Sequence, residues 1–410
     1  MRTAQASRLP GDGTDPEAVI REARRRQRRR HLVAGAVLLA VLAASAAVVI
    51  TAISPGGHPR RPASRSARTA PAPVSRPLPG LILAGAATTV VMWPVGRPVF
   101  TYAGGGPPAY VADLTTGHLS RRQVPGIAGC DCLPYLIGAG PRLVYVSADG
   151  TAVIPADLAG KPRMLGTTPF FAPAAAPGHV WLVRYRGGVL GRAPVRVRLV
   201  PVTGGPPGAA VTLPAGDLLI RGTDAGLLLV ARRGLALWAP GSAPANLPHS
   251  SGWDGFDATS LLVVYGTGCD PHYDRCQMLR IFNVVTSRLV SLPAPPGTAG
   301  WVPAGFDLVS AISPDNQMIA AYAATRPKRN RQARLYVIRL TSPNLRARAV
   351  PSSAAPYYTS TAWSAKGSWL LYQGARGHLW AYQVTTGKIR TSSTPCCGYT
   401  AMVAVPNRPG

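Results

Sequence analysis

The chain has few lysines and almost no glutamate. Only four of its 44 basic residues are lysine, and its only glutamates are Glu17 and Glu22. Arginine therefore carries the formal charge of +28, and beyond residue 22 any carboxylate chemistry depends on aspartate. So strong a positive charge favours anionic partners such as phospholipid head groups, anionic wall polymers or acidic proteins.

Several enzyme motifs are also missing. The sequence contains no G-x-S-x-G nucleophile elbow, no H-E-x-x-H zinc motif and no phosphate-binding P-loop. These absences argue against the hydrolases, zinc proteases and nucleotide triphosphatases that depend on these motifs. We therefore expect no cofactor and no metal, and a binding protein in preference to an enzyme.

One long hydrophobic run is present at residues 31–53, and it has no ionisable side chain after His31. About 22 apolar or small residues suffice for a helix across the ~30 Å hydrocarbon core. The arginine-rich segment before it predicts a cytoplasmic tail at residues 1–30 and a transmembrane helix at 31–53. A cleaved secretory signal ending near Ala44-Ser45-Ala46 is the alternative, although the run is longer than most signal-peptide cores. In both cases residues 54–410 are expected outside the cytoplasm, at the cell membrane, where nucleic acid is not an expected partner.

The segment after this run, residues 54–80, is rich in Pro, Ser and Ala and has five arginines but no acid. This composition predicts a disordered, extended linker that reaches up to ~80 Å from the bilayer at about 3.1 Å per residue.

A repeat follows in residues 81–410. Seven segments read as a strand, a turn and a second strand, and their turn markers lie 44, 44, 37, 46, 55 and 44 residues apart: Leu114, Leu158, Val202, Ala239, Val285, Leu340 and Val384. The 44 glycines and 42 prolines suit many short strands. A period near 45 residues with four strands per unit predicts an all-β fold, a seven-bladed β-propeller.

The last apolar run, residues 399–405, has no repeat of its own. A ring of blades with free edge strands would invite pairing with other chains. We therefore expect this run to join the blade of residues 88–123 and close the ring.

Turn motifs carry a resemblance to a known family. Ser313-Pro314-Asp315-Asn316 is similar to the S-P-D-G turn of WD40-like and TolB-like propellers, with Asn where Gly is usual. Ser364-Ala365-Lys366-Gly367 and Ser147-Ala148-Asp149-Gly150 are looser matches, and the His-Gly and Trp-Asp pairs are absent. The resemblance implies a propeller fold, here membrane-anchored and of the bacterial envelope type, but no particular function.

The predicted register places the loops between second and third strands, and the connections between blades, on one face, which we call the loop-rich face. All six cysteines fall there. In an oxidising compartment a disulfide between Cys269 and Cys276 would close the base of one loop. Cross-links among Cys130, Cys132, Cys396 and Cys397 would lock the ring, with a soft-metal thiolate cluster as the alternative.

Two groups of polar residues on this face are candidate sites. Asp270, His272 and Asp274 could act as a general base or metal ligands, or could cap turns and pair with Arg275. Basic residues concentrate in two loops, where they would attract phosphate or carboxylate polymers or remain solvated: Arg326, Lys328, Arg329 and Arg331 in one loop, and Arg184 and Arg186 in the other.

The sequence thus favours a non-enzymatic, membrane-anchored, extracytoplasmic propeller that binds a protein or an anionic envelope polymer through its loop-rich face. Two alternatives stay open. One is a transmembrane sensor that signals through the N-terminal tail. The other is a propeller hydrolase or lyase that uses the loop of Asp270, His272 and Asp274.

Overall fold

Short antiparallel strands make up most of the part of the chain that the structure describes. A computed structural model describes residues 75–77, 81–83, 86–94, 108–124, 136–147, 149–168, 170–184, 195–252, 254–270, 275–302, 311–325, 332–342, 345–356, 360–374, 378–392 and 400–407. All of them belong to the second of two units, Ala72–Gly410, and the first unit is Met1–Pro71. None of these described residues forms a helix that is long and apolar enough to cross a bilayer. The predicted tail and membrane helix lie outside them.

Four separate sheets come first along the chain. The first contains β1 (Ser75–Pro77), β2 (Thr88–Pro94), β3 (Pro108–Asp113) and β4 (His118–Gln123), together with the last strand, β30 (Thr400–Pro406). The second contains β5 (Leu136–Ala139), β6 (Arg142–Ser147), β7 (Gly150–Pro155) and β8 (Arg163–Gly166). The third contains β9 (Phe170–Pro173), β10 (His179–Arg184), β11 (Arg196–Pro201) and β12 (Ala210–Thr212). The fourth contains β13 (Leu218–Thr223), β14 (Gly226–Ala231), β15 (Gly234–Trp238) and β16 (Ala245–Asn246).

The next sheet has nine strands and two parts. Its first part contains β17 (Asp254–Ala258), β18 (Leu262–Asp270), β19 (Arg275–Asn283) and β20 (Leu289–Pro293). Its second part contains β21 (Gly300–Val302), β22 (Met318–Ala324), β23 (Gln332–Arg339), β24 (Ala347–Ala349) and β25 (Ala355–Pro356). Among the described residues, Cys276 opposite Trp301 is the only strand pairing between the two parts. The last sheet contains β26 (Thr361–Trp363), β27 (Trp369–Gln373), β28 (Leu379–Gln383) and β29 (Ile389–Thr391).

The turn markers of the repeat all lie between two paired strands. Leu114, for example, lies between β3 and β4, and Val384 lies between β28 and β29. Local hydrogen bonds set these turns: Asp113 Oδ1 accepts the backbone N–H of Thr115 at 2.8 Å, and Asn283 Oδ1 accepts that of Thr286 at 2.9 Å. Asx-type turns of this kind favour a tight reversal between neighbouring strands.

The closing strand pairs as predicted. β30 runs antiparallel to β2 from Thr88 opposite Pro406 to Pro94 opposite Thr400. Beyond its end, Asn407 accepts a hydrogen bond from Thr89 Oγ1 at 2.7 Å and donates one to Thr115 Oγ1 at 3.0 Å. The first sheet is therefore built from both ends of the described chain.

The hydrophobic core is divided among the junctions between successive sheets. One buried cluster spans the first and second sheets around Leu143 and Val405, and the next spans the second and third sheets around Val144 and Phe171. Further buried clusters lie at each of the following junctions, through the remaining sheets. The series of junctions returns to its start where Leu371 of the last sheet packs with Met92 and Met402 of the first. This arrangement is a β-propeller.

Two central strands of this ring, β22 and β27, are buried on both faces. All seven side chains of β22 are buried, which explains why this strand is a continuous apolar run without alternation. The Ser313-Pro314-Asp315-Asn316 turn precedes it. Asn316 has a φ of 58°, a left-handed value that Asn and Gly tolerate, and Gly367 has a φ of 68° in the looser match.

One strand begins inside the predicted linker. Ser75–Pro77 pair with β4 in antiparallel register, as the outermost strand of the first sheet. Leu81 and Leu83 are fully buried in the cluster between the first and last sheets. The ordered pairing therefore extends upstream of residue 81, because the linker brings its own strand to an otherwise open sheet edge.

Candidate anion-binding cleft

A cleft of about 700 Å³ lies between the second and third sheets. Its walls come from β8, from the connection between β8 and β9, and from β10, β11 and the turn that leads to β12. Four arginines line it, Arg163 from the second sheet and Arg184, Arg196 and Arg198 from the third. No aspartate or glutamate is among the described residues that line it.

Strand alternation places three of these arginines on one face of the third sheet. On β11, Val197 is buried against the fourth sheet, whereas Arg196 and Arg198 on either side of it are exposed. On β10, Val183 is likewise buried and Arg184 is exposed. Side chains two residues apart on a strand point the same way, so Arg196 and Arg198 both face the second sheet.

Arg184 and Arg196 stand directly opposite each other in the pairing of β10 with β11, and Leu182 stands opposite Arg198. Like charges directly opposite across a strand pair are destabilising by a few tenths to about 1 kcal/mol. An anion between the two guanidinium groups would remove this repulsion. The free protein thus carries a concentration of positive charge that a negatively charged ligand would relieve.

Arg163 is held at the other end of the cleft. Its Nη2 donates a hydrogen bond to the backbone carbonyl of Val202, which follows β11. This contact joins the second sheet to the third. Because only one of the five guanidinium N–H groups is used in it, the others remain available to an anion.

The floor of the cleft is apolar. Leu165 and Leu182 are half-buried and pack against the cluster between the two sheets, and Val200 is buried. The sheets approach closely here, since a Cβ at Gly166 would lie 2.7 Å from Leu182 Cδ1. At the mouth, 44% of the Phe170 side chain is exposed. The cleft therefore combines an apolar floor with arginine walls.

The predicted basic residues are divided between the described part of the chain and the rest. Arg184 lies in the cleft, at the end of β10 and beside the connection to β11. Arg186, Arg326, Lys328, Arg329 and Arg331 lie outside the described residues. The predicted binding residues do not include Arg163, Arg196 and Arg198. The alternation R-V-R at residues 196–198 is the signal that could have indicated a shared face.

The predicted disulfide joins two strands of the nine-stranded sheet. Cys269 on β18 lies directly opposite Cys276 on β19, and the two are bonded. Asp270 follows Cys269, is exposed and lies opposite Arg275. His272, Asp274, Cys130, Cys132, Cys396 and Cys397 lie outside the described residues. In the part of the chain that is described, no cluster of three or more His, Cys, Asp or Glu side chains is arranged to hold a metal ion.

A second polar group is centred on Asp257, which lies in β17. Together with Arg221 it connects three consecutive parts of the ring. Its Oδ2 accepts the backbone N–H groups of Ala311 at 2.8 Å and Ile312 at 3.1 Å, and its Oδ1 accepts that of Ala258. Arg221 of the fourth sheet donates to the Ala258 carbonyl. Burial raises the pKa of Asp257 to about 6, although Arg221 and the three N–H groups oppose the rise. With three backbone partners, this carboxylate has a structural role.

Comparison with known proteins finds only weak structural similarities. No protein-family model matches the chain, and no curated protein matches its sequence. Apo AztD from Citrobacter koseri is similar with a TM-score of 0.42 and 14% identity, over 78% of this chain and 98% of that one. A chain of the mitotic checkpoint complex has a TM-score of 0.42 and 13% identity, over 81% of this chain and 97% of that one. Oligogalacturonate lyase from Vibrio parahaemolyticus has a TM-score of 0.41 and 11% identity, over 65% of this chain and 80% of that one. Similarities of this size carry no information about ligands.

Proposed function

We propose that this protein is a seven-bladed, membrane-anchored, extracytoplasmic β-propeller that binds an anionic envelope polymer and catalyses no reaction. One observation carries the proposal: four arginines converge on a cleft whose described lining contains no acid. Arginine is well suited to phosphate and carboxylate groups because its planar fork can donate two parallel hydrogen bonds.

The position of the cleft agrees with binding through the loop-rich face. Arg184 ends β10 and Arg196 begins β11, so the second-to-third-strand connection of this sheet lies at one end of the cleft. Thr167 and Thr168, which connect the second sheet to the third, also line it. A ligand in the cleft would therefore contact residues of the two kinds of connection that define this face.

The hydrophobic run at residues 31–53 supplies the proposed membrane anchor. With the arginine-rich segment on its cytoplasmic side, the propeller would be held close to the outer surface of the membrane. Anionic polymers of the envelope would then be present at high local concentration, so a modest affinity would suffice for retention.

Charge reversal in the cleft tests this function. The detergent-solubilised full chain should bind immobilised anionic wall polymer at ~0.15 M salt, and Arg196→Glu should lower the retained fraction about tenfold. The matched control is Arg232→Glu, which makes the same charge change at an exposed position in the β14–β15 turn. Equal losses in both variants would show that binding follows net charge, and the cleft would then be excluded as the site.

A measurement of stability separates lost binding from lost folding. Glu at position 196 would face Arg184 and replace a repulsive pair with an attractive one. Arg196→Glu should therefore unfold at the same temperature as the wild type or slightly above it, while binding less polymer. A variant that binds less and also melts lower would leave binding loss and unfolding confounded, and Arg198→Glu, opposite Leu182, then decides between them.

A further inference from the structure

We infer that the cleft holds its ligand as an extended chain along β11, so that the ligand is a linear polymer with anionic groups at intervals and a single phosphate or carboxylate does not fill the site. This inference rests on the proposed function and specifies its ligand.

The cleft is as long as a strand. Its lining includes both ends of β11, from Arg196 to Pro201. A strand of six residues extends about 20 Å, at 3.2–3.4 Å per residue. A compact anion would occupy only a small part of this length.

The positive charges are spread over the same distance. Arg184 and Arg196 form a pair at one end, and Arg198 follows about 7 Å along the strand on the same face. Arg163 lies at the opposite end, where its guanidinium contacts the Val202 carbonyl. Arginine contacts an anionic oxygen at 2.7–2.9 Å, so one phosphate cannot satisfy both ends at once. Several anionic groups along one polymer can contact both ends.

The floor between these charges is suited to the uncharged part of a polymer. Leu165, Leu182 and Val200 form an apolar strip below the arginines. The close approach of the two sheets at Gly166 limits the width available there. A single extended chain can therefore rest its backbone on this strip and direct its charges toward the arginine walls.

A series of ligands of increasing length tests the inference. Orthophosphate, tripolyphosphate and linear polyphosphates long enough to span ~20 Å are titrated into the detergent-solubilised full chain by calorimetry. We expect the affinity per phosphate group to rise at least tenfold up to the spanning length and to change little beyond it. Equal affinity per phosphate at all lengths would overturn the extended mode while leaving an anion site in the cleft. Absence of binding by every member of the series would overturn the polymer proposal as well.

Variants at the two ends of the cleft give a second readout. Arg163→Glu should lower affinity for the spanning polyphosphate about tenfold and leave tripolyphosphate, bound at the Arg184 and Arg196 end, unchanged. Arg196→Glu should weaken both ligands. The double variant Arg232→Glu/Arg233→Glu, exposed in the fourth sheet, should weaken neither. A matched poly-glutamate series distinguishes the two classes of ligand. If the affinity depends on length for poly-glutamate and not for polyphosphate, the ligand would be an acidic protein segment and not an envelope polymer.

Discussion

The Oδ2 atom of Asp257 lies 2.8 Å from the backbone nitrogen of Ala311, 54 residues later in the chain. The carboxylate joins the first part of the nine-stranded sheet to the segment that leads into β22, and Arg221 reaches the same place from the fourth sheet. This half-buried carboxylate adds polar contacts to a junction that also has the pairing of Cys276 with Trp301 and a hydrogen bond from Thr259 to Asn316. Its protonation therefore affects the stability of the ring.

Stability should fall as the pH rises from about 4 to 6. Folding raises the pKa of Asp257 from 3.8 to about 6, so in this interval the folded chain binds more protons than the unfolded chain. The contribution of Asp257 to the free energy of unfolding is at most about 3 kcal/mol. It is fully present below pH 4 and is lost as the pH rises through 6. Urea unfolding followed by tryptophan fluorescence at pH 4, 5, 6 and 7 measures it.

Asp257→Asn should remove that part of the pH dependence, since an amide does not titrate. It should also lower stability by about 1–3 kcal/mol, because an NH2 group would face backbone N–H donors. The control is Asp224→Asn, at an exposed position where the carboxylate accepts a hydrogen bond from Ser260. If the stability of Asp257→Asn and that of the wild type changed with pH in parallel, Asp257 would not be the cause of the pH dependence.

Replacing both Cys269 and Cys276 with Ala should lower the free energy of unfolding by about 2–3 kcal/mol. The bond closes a short loop with a sequence separation of 7, and cross-linking a loop of that size restricts the unfolded chain by this amount. Thermal melts of the two proteins without reductant measure the difference. Free thiols at both positions in the non-reduced wild type, detected by alkylation and mass spectrometry, would contradict the bridge.

Met402→Ala should weaken the closure of the ring. Met402 is 3% exposed, lies opposite Met92 and packs in the cluster between the first and last sheets. Loss of a buried side chain of this size destabilises by about 2–5 kcal/mol. Val285→Ala serves as control, because Val285 is 58% exposed and should change stability by less than about 0.5 kcal/mol. Similar unfolding midpoints for the two variants would show that β30 is not needed for closure.

Trp363→Phe and Trp380→Phe should differ although both remove an indole N–H. Trp363 Nε1 donates to the carbonyl of Ala311 at 3.1 Å across two sheets, whereas the buried Nε1 of Trp380 has no partner among the described residues. We expect a loss of about 0.5–1.5 kcal/mol for Trp363→Phe, because one hydrogen bond is lost while the Ala311 carbonyl keeps the one from the Ala320 N–H, and little change or a gain for Trp380→Phe. Urea unfolding of each variant compares them, and a larger loss for Trp380→Phe would reverse this ranking.

Removal of residues 1–20 should leave polymer binding unchanged, because the cleft belongs to the third and second sheets. The full and shortened chains are compared on the same immobilised polymer. A loss of a cellular signal with binding intact would favour the sensor alternative, and a loss of binding would contradict a site confined to the propeller.

Features that depend on neighbours in sequence were predicted well. The spacing of turns is a local pattern, and it located the strand pairs. The last run has no repeat of its own, and this identified it as the closing strand although its partner β2 is distant in the chain. A recurring serine was missed: Ser250, Ser353 and Ser392 each accept, at 3.1 Å, the backbone N–H of a leucine in a third strand. Its distance from that leucine varies from 13 to 18 residues, so no fixed period reveals it.

Side-chain contacts that depend on strand register or on the packing of sheets were not predicted. Arg184 and Arg196 meet because β10 and β11 pair in one particular register across a connection, and Arg163 joins them only when two sheets pack. Asp257 lies in β17, and its carboxylate accepts the backbone N–H groups of Ala311 and Ile312, which are 54 and 55 residues away in the chain, so no local pattern indicates these contacts. The sequence indicated which face carries Arg184 but did not reveal the cleft.

Closure by β30 has a consequence for biosynthesis. β2 is synthesised long before the strand that covers its edge, because their contact between Thr89 and Asn407 spans 318 positions. Until residues 400–406 have been synthesised, the first sheet presents an open edge that can pair with another chain. A chain that ends before residue 400 would thus keep this edge of β2 uncovered and would be prone to aggregation.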